Sequence, residues 1–404
     1  MRSVLHDRNT RWAASWWALG LGVALGTAVG CDALFGAFVE AVPQACGGTC
    51  PQGQTCNSTT NLCETPTPTP DGGNGDGPSD PTGAKLGLLA GSLGGPGLAD
   101  DTGQHARIYN PGGVAMDPAG NVYFADTTNH TIRKLVLSTG VVSLVAGTPK
   151  QAGSLDGIGR AARFFGPQGI ALDDTGQILF VADTQNNKIR RIILGTGEVQ
   201  TVAGTGVPGA DNGAGSTATF RSPCGIAVGP LGILVADRDN HAIRRILVAD
   251  STVSTLAGTM TQGSADGSSS TSSFNSPRGI AIDTGGTIYV ADFGNNVIRK
   301  IIATGATVST LAGLAGTSGT TDALGTNARF SGPTGITAEG ITSLYVTDRG
   351  SHLLRKIQLG TANVQTLAGG ANSFGNTDGS AGTARFAEPT GVAFQPTYGV
   401  LIAD

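Results

Sequence analysis

PQGIALDDTGQILFVADTQNNKIRRIILGTGEVQTVAG, residues 167–204, holds four short apolar runs separated by turns. The runs are rich in Ile and Val and are bounded by Gly, Asn, Asp and Thr, which is the pattern of strands rather than of helices. The stretch therefore predicts four antiparallel strands joined by short turns.

The same pattern recurs along the chain, and the tripeptide Pro-x-Gly marks each copy. A fixed step of 54 or 56 residues indicates one supersecondary unit copied many times. The inner strands are apolar on both faces, as expected when each sheet packs between its two neighbours. The predicted fold is all-β: a six-bladed β-propeller of four-stranded antiparallel blades rather than a β-solenoid, whose coils are far shorter. The marker glycines are Gly113, Gly169, Gly225, Gly279, Gly335 and Gly391.

The ends of the repeat region predict how the ring closes. Leu-Gly-Leu-Leu-Ala-Gly at 86–91 stands in the phase of a fourth strand, so we expect it to pair into the last sheet, beside strands from 391–394 and 399–404. Shared closure pairs strand edges that an open ring leaves exposed. The third strand of this last sheet would fall beyond Asp404. The sixth blade is therefore expected to be incomplete, either because the chain is a truncated fragment or because the blade is gapped.

An Asp at the end of the second strand and an Arg in the third strand stand seven residues apart in five copies. Across a hairpin, this separation predicts a cross-strand ion pair worth roughly 0.2–1 kcal/mol. Five identical copies around a ring indicate blade architecture rather than an active site. The predicted structural pairs are Asp126 with Arg133, Asp183 with Arg190, Asp237 with Arg244, Asp292 with Arg299 and Asp348 with Arg355.

Two segments resemble NHL repeats: Ile-Tyr-Val-Ala-Asp-Phe-Gly-Asn-Asn-Val-Ile-Arg-Lys-Ile at 288–301 and Val-Tyr-Phe-Ala-Asp-Thr-Thr-Asn-His-Thr-Ile-Arg-Lys-Leu at 122–135. The resemblance covers about residues 85–404. It implies a six-bladed, TolB-like propeller and mostly binding roles, with a minority of enzymes such as metal-dependent amidating lyases.

The first of three segments before the repeats, residues 1–30, has the features of an export signal: a basic start, an apolar stretch and small residues at its end. The tail resembles a bacterial lipobox, with Ala28 where that motif usually has Leu, which makes Cys31 the expected lipidation site. Ordinary cleavage and an uncleaved anchor are the alternatives. We expect an extracytoplasmic protein attached to a bacterial membrane as a lipoprotein, or a secreted one.

A small Cys-rich segment at 31–63 and a linker at 64–84 follow. The linker is rich in Pro, Gly and Thr, so it is predicted to be disordered. The Cys-rich segment is too short for a core, so its cysteines predict two disulfides in one of three connectivities, with zinc binding as the alternative. These cysteines are Cys46, Cys50, Cys56 and Cys63. Cys224, in the variable middle of one Pro-x-Gly, is expected to be a free thiol without function.

Composition and histidine placement narrow the function. The net charge is -4 and no basic patch emerges, so nucleic-acid binding is disfavoured. His130, His241 and His352 share one slot of the repeat, the turn after the second strand. Residues that share a slot stand apart around a ring, so we expect turn histidines rather than ligands of one catalytic metal.

The leading hypothesis is a monomeric, non-catalytic binding scaffold for a protein or glycan, with no cofactor and with membrane attachment through the lipid anchor only. The turns after the second strands and the loops after the fourth strands open on one face, and function on a rigid scaffold usually resides in such loops. A metal-dependent lyase or lactonase is the alternative. The candidate ligand face consists of Arg238, Asp239, Phe293 and Arg349.

Overall fold

The computed structural model describes residues 35–38, 55–57, 62–64, 85–91, 97–304 and 307–404, and it shows an all-β propeller. Within these residues, five blades are each built from consecutive strands, and a further sheet, the closing sheet, combines strands from both ends of the chain. We number the blades 1 to 5 in chain order. No helix within the described residues is long and apolar enough to cross a membrane.

Each blade is an antiparallel meander whose first strand lines the central channel. The first strands are Pro111–Met116, Ile170–Leu172, Pro223–Gly229, Ile280–Ile282 and Pro333–Glu339. The second strands are Asn121–Asp126, Ile178–Asp183, Gly232–Asp237, Ile288–Asp292 and Ser343–Asp348. The third strands are Thr131–Val136, Lys188–Ile193, Ala242–Ile246, Val297–Ile302 and Leu353–Gln358. The fourth strands are Val141–Ala146, Glu198–Ala203, Val253–Ala257, Thr307–Ala312 and Asn363–Gly369.

Short elements complete the blades. Two-residue outer strands pair with some fourth strands, at Asp101–Thr102, Gly157–Ile158 and Gly267–Ser268. A 3-10 turn joins each second strand to its third strand, at Thr127–Asn129, Thr184–Asn186, Arg238–Asn240, Phe293–Asn295 and Arg349–Ser351. Further 3-10 turns lie at Gly103–His105, Gly159–Ala161 and Gly325–Asn327. A separate hairpin pairs Thr55–Asn57 with Leu62–Glu64.

The second strands explain why both faces of each sheet are apolar. Successive side chains of a strand point to opposite faces. In blade 2, Leu179 and Val181 pack in a cluster shared with blade 1, whereas Phe180 and Ala182 pack in a cluster shared with blade 3. The same alternation closes the ring, because Leu401 of the closing sheet packs in one cluster with residues of blade 1.

The closing sheet contains the N-terminal strand that the sequence predicts. Its strand order is Gly379–Ser380, Lys85–Ala90, Phe35–Phe38, Gly399–Ala403 and Val392–Gln395. Lys85–Ala90 takes the place of the fourth strand, as expected from residues 86–91.

The third strand of the closing sheet corrects the expectation of an incomplete blade. Phe35–Phe38 lies between Lys85–Ala90 and Gly399–Ala403 and pairs with both. Without it, both neighbours would present unpaired backbone groups in the middle of the sheet. The repeat motif could not reveal this strand, because it lacks the repeated Arg of the third strands. Gly36, opposite Ile402, takes the position that Arg190 has opposite Val181 in blade 2.

Candidate functional site

The Pro-x-Gly tripeptides form a tight ring of backbone at the start of the first strands. Each glycine lies against the carbonyl oxygen of the middle residue of the next tripeptide: a Cβ on Gly225 would lie 2.0 Å from the oxygen of Arg278, and one on Gly391 would lie 2.3 Å from the oxygen of Gly112. Such an approach excludes any side chain, which is why every copy has Gly here. The contact from Gly391 to Gly112 also shows that the ring is closed.

The variable middle residues of the tripeptides surround a cavity of about 160 Å³ at one end of the channel. Thr127 and Arg349, from the turns after two second strands, also line it. Beyond the ring of glycines, the channel forms a second cavity with a volume of about 320 Å³, which is lined by the first strands. We call the first of these cavities the mouth. Its variable residues are Gly112, Gln168, Cys224, Arg278, Thr334 and Thr390.

Arg278 is the most distinctive group in the mouth. Its guanidinium carbon lies 3.7 Å from the ring centroid of Phe293, and this ring in turn packs against the backbone at Gly332. Within the described residues, no carboxylate pairs with Arg278, and its buried Nε has no hydrogen-bond partner. Burial lowers the pKa of this guanidinium and the positive charges of Arg349 and Arg238 lower it further, while the negative charge of Asp239 acts in the opposite direction.

The four residues of the predicted ligand face lie on the side of the ring where the mouth opens. Phe293 supports Arg278, and Arg349 lines the mouth and pairs with Glu388. Arg238 pairs with the neighbouring Asp239, with its Nε 2.8 Å from Oδ1. All four side chains are partly buried, so neighbouring residues restrict their conformations.

Cys224 of blade 3 contacts Gln168 of the neighbouring blade 2. The thiol donates a hydrogen bond to Oε1 of Gln168 over 2.9 Å. Burial raises the pKa of the Cys224 thiol, although nearby arginines act in the opposite direction. The thiol is therefore a neutral hydrogen-bond donor that orients Gln168 in the mouth.

The repeated Asp and Arg residues form ion pairs that are fully buried. Arg Nη1 lies 2.8 to 3.3 Å from Asp Oδ2 in all five pairs, and each arginine also lies over a ring, as Arg190 does over Phe164 at 5.2 Å. Burial raises the pKa of these carboxyls, to about 6 for Asp126 and Asp292, while their Arg and Asn neighbours lower it. The sequence-based energy is that of an exposed pair and does not describe these buried pairs, in which loss of one partner would leave the other charge uncompensated.

The three turn histidines hold the next loop in place. Nδ1 of His130, His241 and His352 accepts backbone N–H bonds of 3.0 to 3.1 Å. Oδ1 of Asn187 and Asn296 does the same in the other two blades. Burial lowers the pKa of all three histidines, so the neutral ring that accepts this bond is favoured. The described residues contain no group of three His, Cys, Asp or Glu side chains placed to hold a metal ion.

Several predicted sites fall outside the residues that the structure describes. Cys31, Cys46 and Cys50 are among them, so lipidation and the two disulfides stay predictions. Backbone pairing places Cys56 opposite Cys63 in the hairpin of Thr55–Asn57 and Leu62–Glu64.

Sequence reasoning missed the mouth because it treated the middle residue of Pro-x-Gly as free to vary. It named Arg349 but not Arg278, Gln168 or Glu388, and it gave Cys224 no function. A signal was present in the sequence: at the start of each innermost strand, the Pro and the Gly of the tripeptide are the same in every copy, whereas the residue between them varies.

Comparisons with known proteins support the repeat class. The NHL repeat model matches residues 109–135 and 274–301. The chain is 29% identical over 308 residues to Protein SUPPRESSOR OF QUENCHING 1, chloroplastic, of Arabidopsis thaliana, covering 73% of this chain and 29% of that protein. The chain spans less than half the length of the curated relatives it matches. The chain is therefore a β-propeller that contains NHL repeats.

Solved structures share the fold. An auxiliary nutrient binding protein from Bacteroides ovatus has a TM-score of 0.57 at 18% identity, over 78% of this chain and 75% of that one. The gluconolactonase XC5397 from Xanthomonas campestris has a TM-score of 0.51 at 12% identity, over 80% of this chain and 90% of that one. At these identities the likeness extends to the fold alone.

Proposed function

We propose that this propeller is an exported or envelope-tethered, non-catalytic binding scaffold that captures a protein or glycan on the face around the mouth. The observation that carries the proposal is the ring of Pro-x-Gly tripeptides. Its backbone is the same in every copy, whereas the side chains that it presents to one cavity differ. A fixed frame with variable side chains is a common arrangement for recognition.

The rim of the mouth supports contact with a large partner. Loops after the fourth strands expose apolar side chains around this face: Phe165, Val207, Leu314 and Phe374, the last with 62% of its surface accessible. Exposed apolar groups on a face that also carries partly buried Arg and Phe side chains are typical of recognition surfaces. The name of the Bacteroides ovatus neighbour, a nutrient binding protein, agrees with a binding role for this fold.

Peptide and glycan arrays probed with the labelled full chain test the proposal. Replacing Arg238, Asp239, Phe293 and Arg349 together by Ala should abolish or strongly weaken capture while the protein stays folded. The matched control replaces Asp174 and Ile341, which are exposed on the opposite face, and should bind like the unchanged protein.

Two results would contradict the proposal. One is equal capture by both variants, because the partner would then bind elsewhere. The other is a stoichiometric divalent metal in the purified protein together with hydrolysis or elimination of a lactone or amide substrate, which would favour the lyase or lactonase alternative.

A further inference from the structure

We propose that the mouth binds a single carboxylate group of the ligand and that Arg278 is the residue that contacts it. The inference rests on the proposed binding function and names the chemistry that this face recognises. It comes from three features of the mouth: an arginine held without a partner, a charge excess of one, and a second oriented donor.

The first feature is the presentation of Arg278. Stacking on Phe293 fixes the plane of the guanidinium and leaves its N–H groups, which lie in that plane, free to point away from the ring. None of them donates to a described residue. A planar fork of donors matches the two oxygens of a carboxylate.

The second feature is the charge balance around the cavity. Arg238 is balanced by Asp239 and Arg349 by Glu388, so Arg278 leaves a net charge of about one positive unit. One uncompensated charge fits a monoanion. A phosphate dianion or the backbone of a nucleic acid would need more positive charge than the mouth supplies. Walls built largely of glycine backbone screen this charge less than bulk water does, which strengthens its attraction for an anion.

The third feature is Gln168. Its Oε1 accepts the bond from Cys224, which leaves Nε2, a donor, as the unbonded part of the amide in the mouth. The hydroxyls of Thr334 and Thr390 already donate to backbone carbonyl oxygens, so they offer no hydrogen to an anion. Among the variable middle residues of the tripeptides, Arg278 and Gln168 therefore carry side-chain donors available for a carboxylate, whereas Arg349, which also lines the mouth, is engaged by Glu388.

Calorimetric titration of the full chain at low ionic strength tests the assignment. The probes are propionate, its neutral analogue propionamide, and inorganic phosphate. Propionate should bind saturably, and Arg278→Met should weaken its binding by about tenfold to a hundredfold, the range for loss of a charge-assisted hydrogen bond. Arg278→Lys keeps the charge without the planar fork and should fall in between.

The matched control is Arg191→Met, because Arg191 is an exposed arginine whose Nε contacts Gln200 on the edge of blade 2. It should bind propionate like the unchanged protein. Two further pairs of probes identify the source of the carboxylate: acetyl-diglycine against its amide, and glucuronate against glucose. Binding of the acid and not of its neutral partner assigns a peptide carboxyl end or an acidic sugar.

Equal binding of propionate and propionamide would overturn the inference, as would unchanged binding by Arg278→Met or tighter, Arg278-dependent binding of phosphate. These results differ from failure of the proposed function. If arrays find a partner whose capture does not need Arg278, the scaffold function stands and the carboxylate site falls. If propionate binds through Arg278 but no array ligand is captured on this face, the carboxylate site stands and the scaffold function falls.

Discussion

Arg190→Met should destabilise the protein far more than a surface mutation would. The Arg190 side chain is fully buried, with Nη1 2.8 Å from Asp183 and Nη2 2.6 Å from Asp156. It also donates to the carbonyl oxygens of Arg163 and Leu155, in the loop that follows the fourth strand of blade 1. One residue therefore links the second and third strands of blade 2 to that loop.

The magnitude follows from what the mutation leaves behind. Met fills much of the volume of the stem but leaves Asp183 buried and without its cation. Removing one partner of a buried pair costs about 3–5 kcal/mol, compared with roughly 0.2–1 kcal/mol for an exposed cross-strand pair. Asp156 adds little to this cost because 48% of its side chain is exposed and water can solvate it.

Urea denaturation of the full chain measures the effect, and Arg191→Met, at the exposed neighbouring position, is the control. Loss of Arg190 removes one of the groups that lower the pKa of Asp183, which burial already raises. A carboxyl whose pKa is raised in the folded state favours folding when protonated. The difference in free energy of unfolding between Arg190→Met and Arg191→Met should therefore become smaller as the pH falls through the pKa of Asp183. A difference below about 1 kcal/mol at pH 8 would refute the assignment of a buried pair.

Two further predictions concern the ring and the turns. Gly225→Ala should lower stability by about 1–3 kcal/mol or more because its Cβ would meet the oxygen of Arg278 at 2.0 Å. Gly195→Ala, where a Cβ has no neighbour within 4 Å, should be neutral or slightly stabilising, and similar thermal melts for the two would count against the tight ring. Burial lowers the pKa of the turn histidines below that of the unfolded chain, so the protein should lose stability as the pH falls below about 6.5 and through their folded pKa. Melts at pH 8 and pH 5 should show a smaller loss when all three become Asn, the residue that accepts the same bond in blades 2 and 4; an unchanged loss would place the pH dependence elsewhere. The histidines are His130, His241 and His352.

The propeller could be predicted from the sequence because its causes are local and repeated. The period, the strand pattern and the phase of residues 86–91 each follow from side chains that recur in register. Phe35–Phe38 could not be predicted this way, because it carries no copy of the motif, although its backbone pairs with both neighbouring strands of the closing sheet. A strand recruited from elsewhere in the chain leaves no periodic trace.

The long loops show a second limit of the sequence. Their length and variation suggested that they carry the function, yet each loop that leads from blades 1 to 4 into the next blade also places a Phe against the buried arginine of that next blade. Burial of the ion pairs depends on these rings, which lie 24 to 26 residues before the arginine in the chain, as Phe164 does before Arg190. Spacing within one hairpin predicted the Asp and the Arg, but it could not predict the Phe from a distant loop that packs against the Arg.

Distance from the propeller axis explains why one slot of the repeat is structural and another is a candidate site. The turn histidines sit away from the axis, so each serves only the loop beside it. The middle residue of Pro-x-Gly sits at the axis, where all six of these residues line one cavity. There, exchange of a side chain leaves the ring intact, because the ring is held by the glycine and the carbonyl group, which every copy supplies. Recognition at the mouth can therefore change in sequence while the contacts between glycine and carbonyl oxygen stay in place. The single Arg among the six residues places the positive charge of the mouth on one side of it.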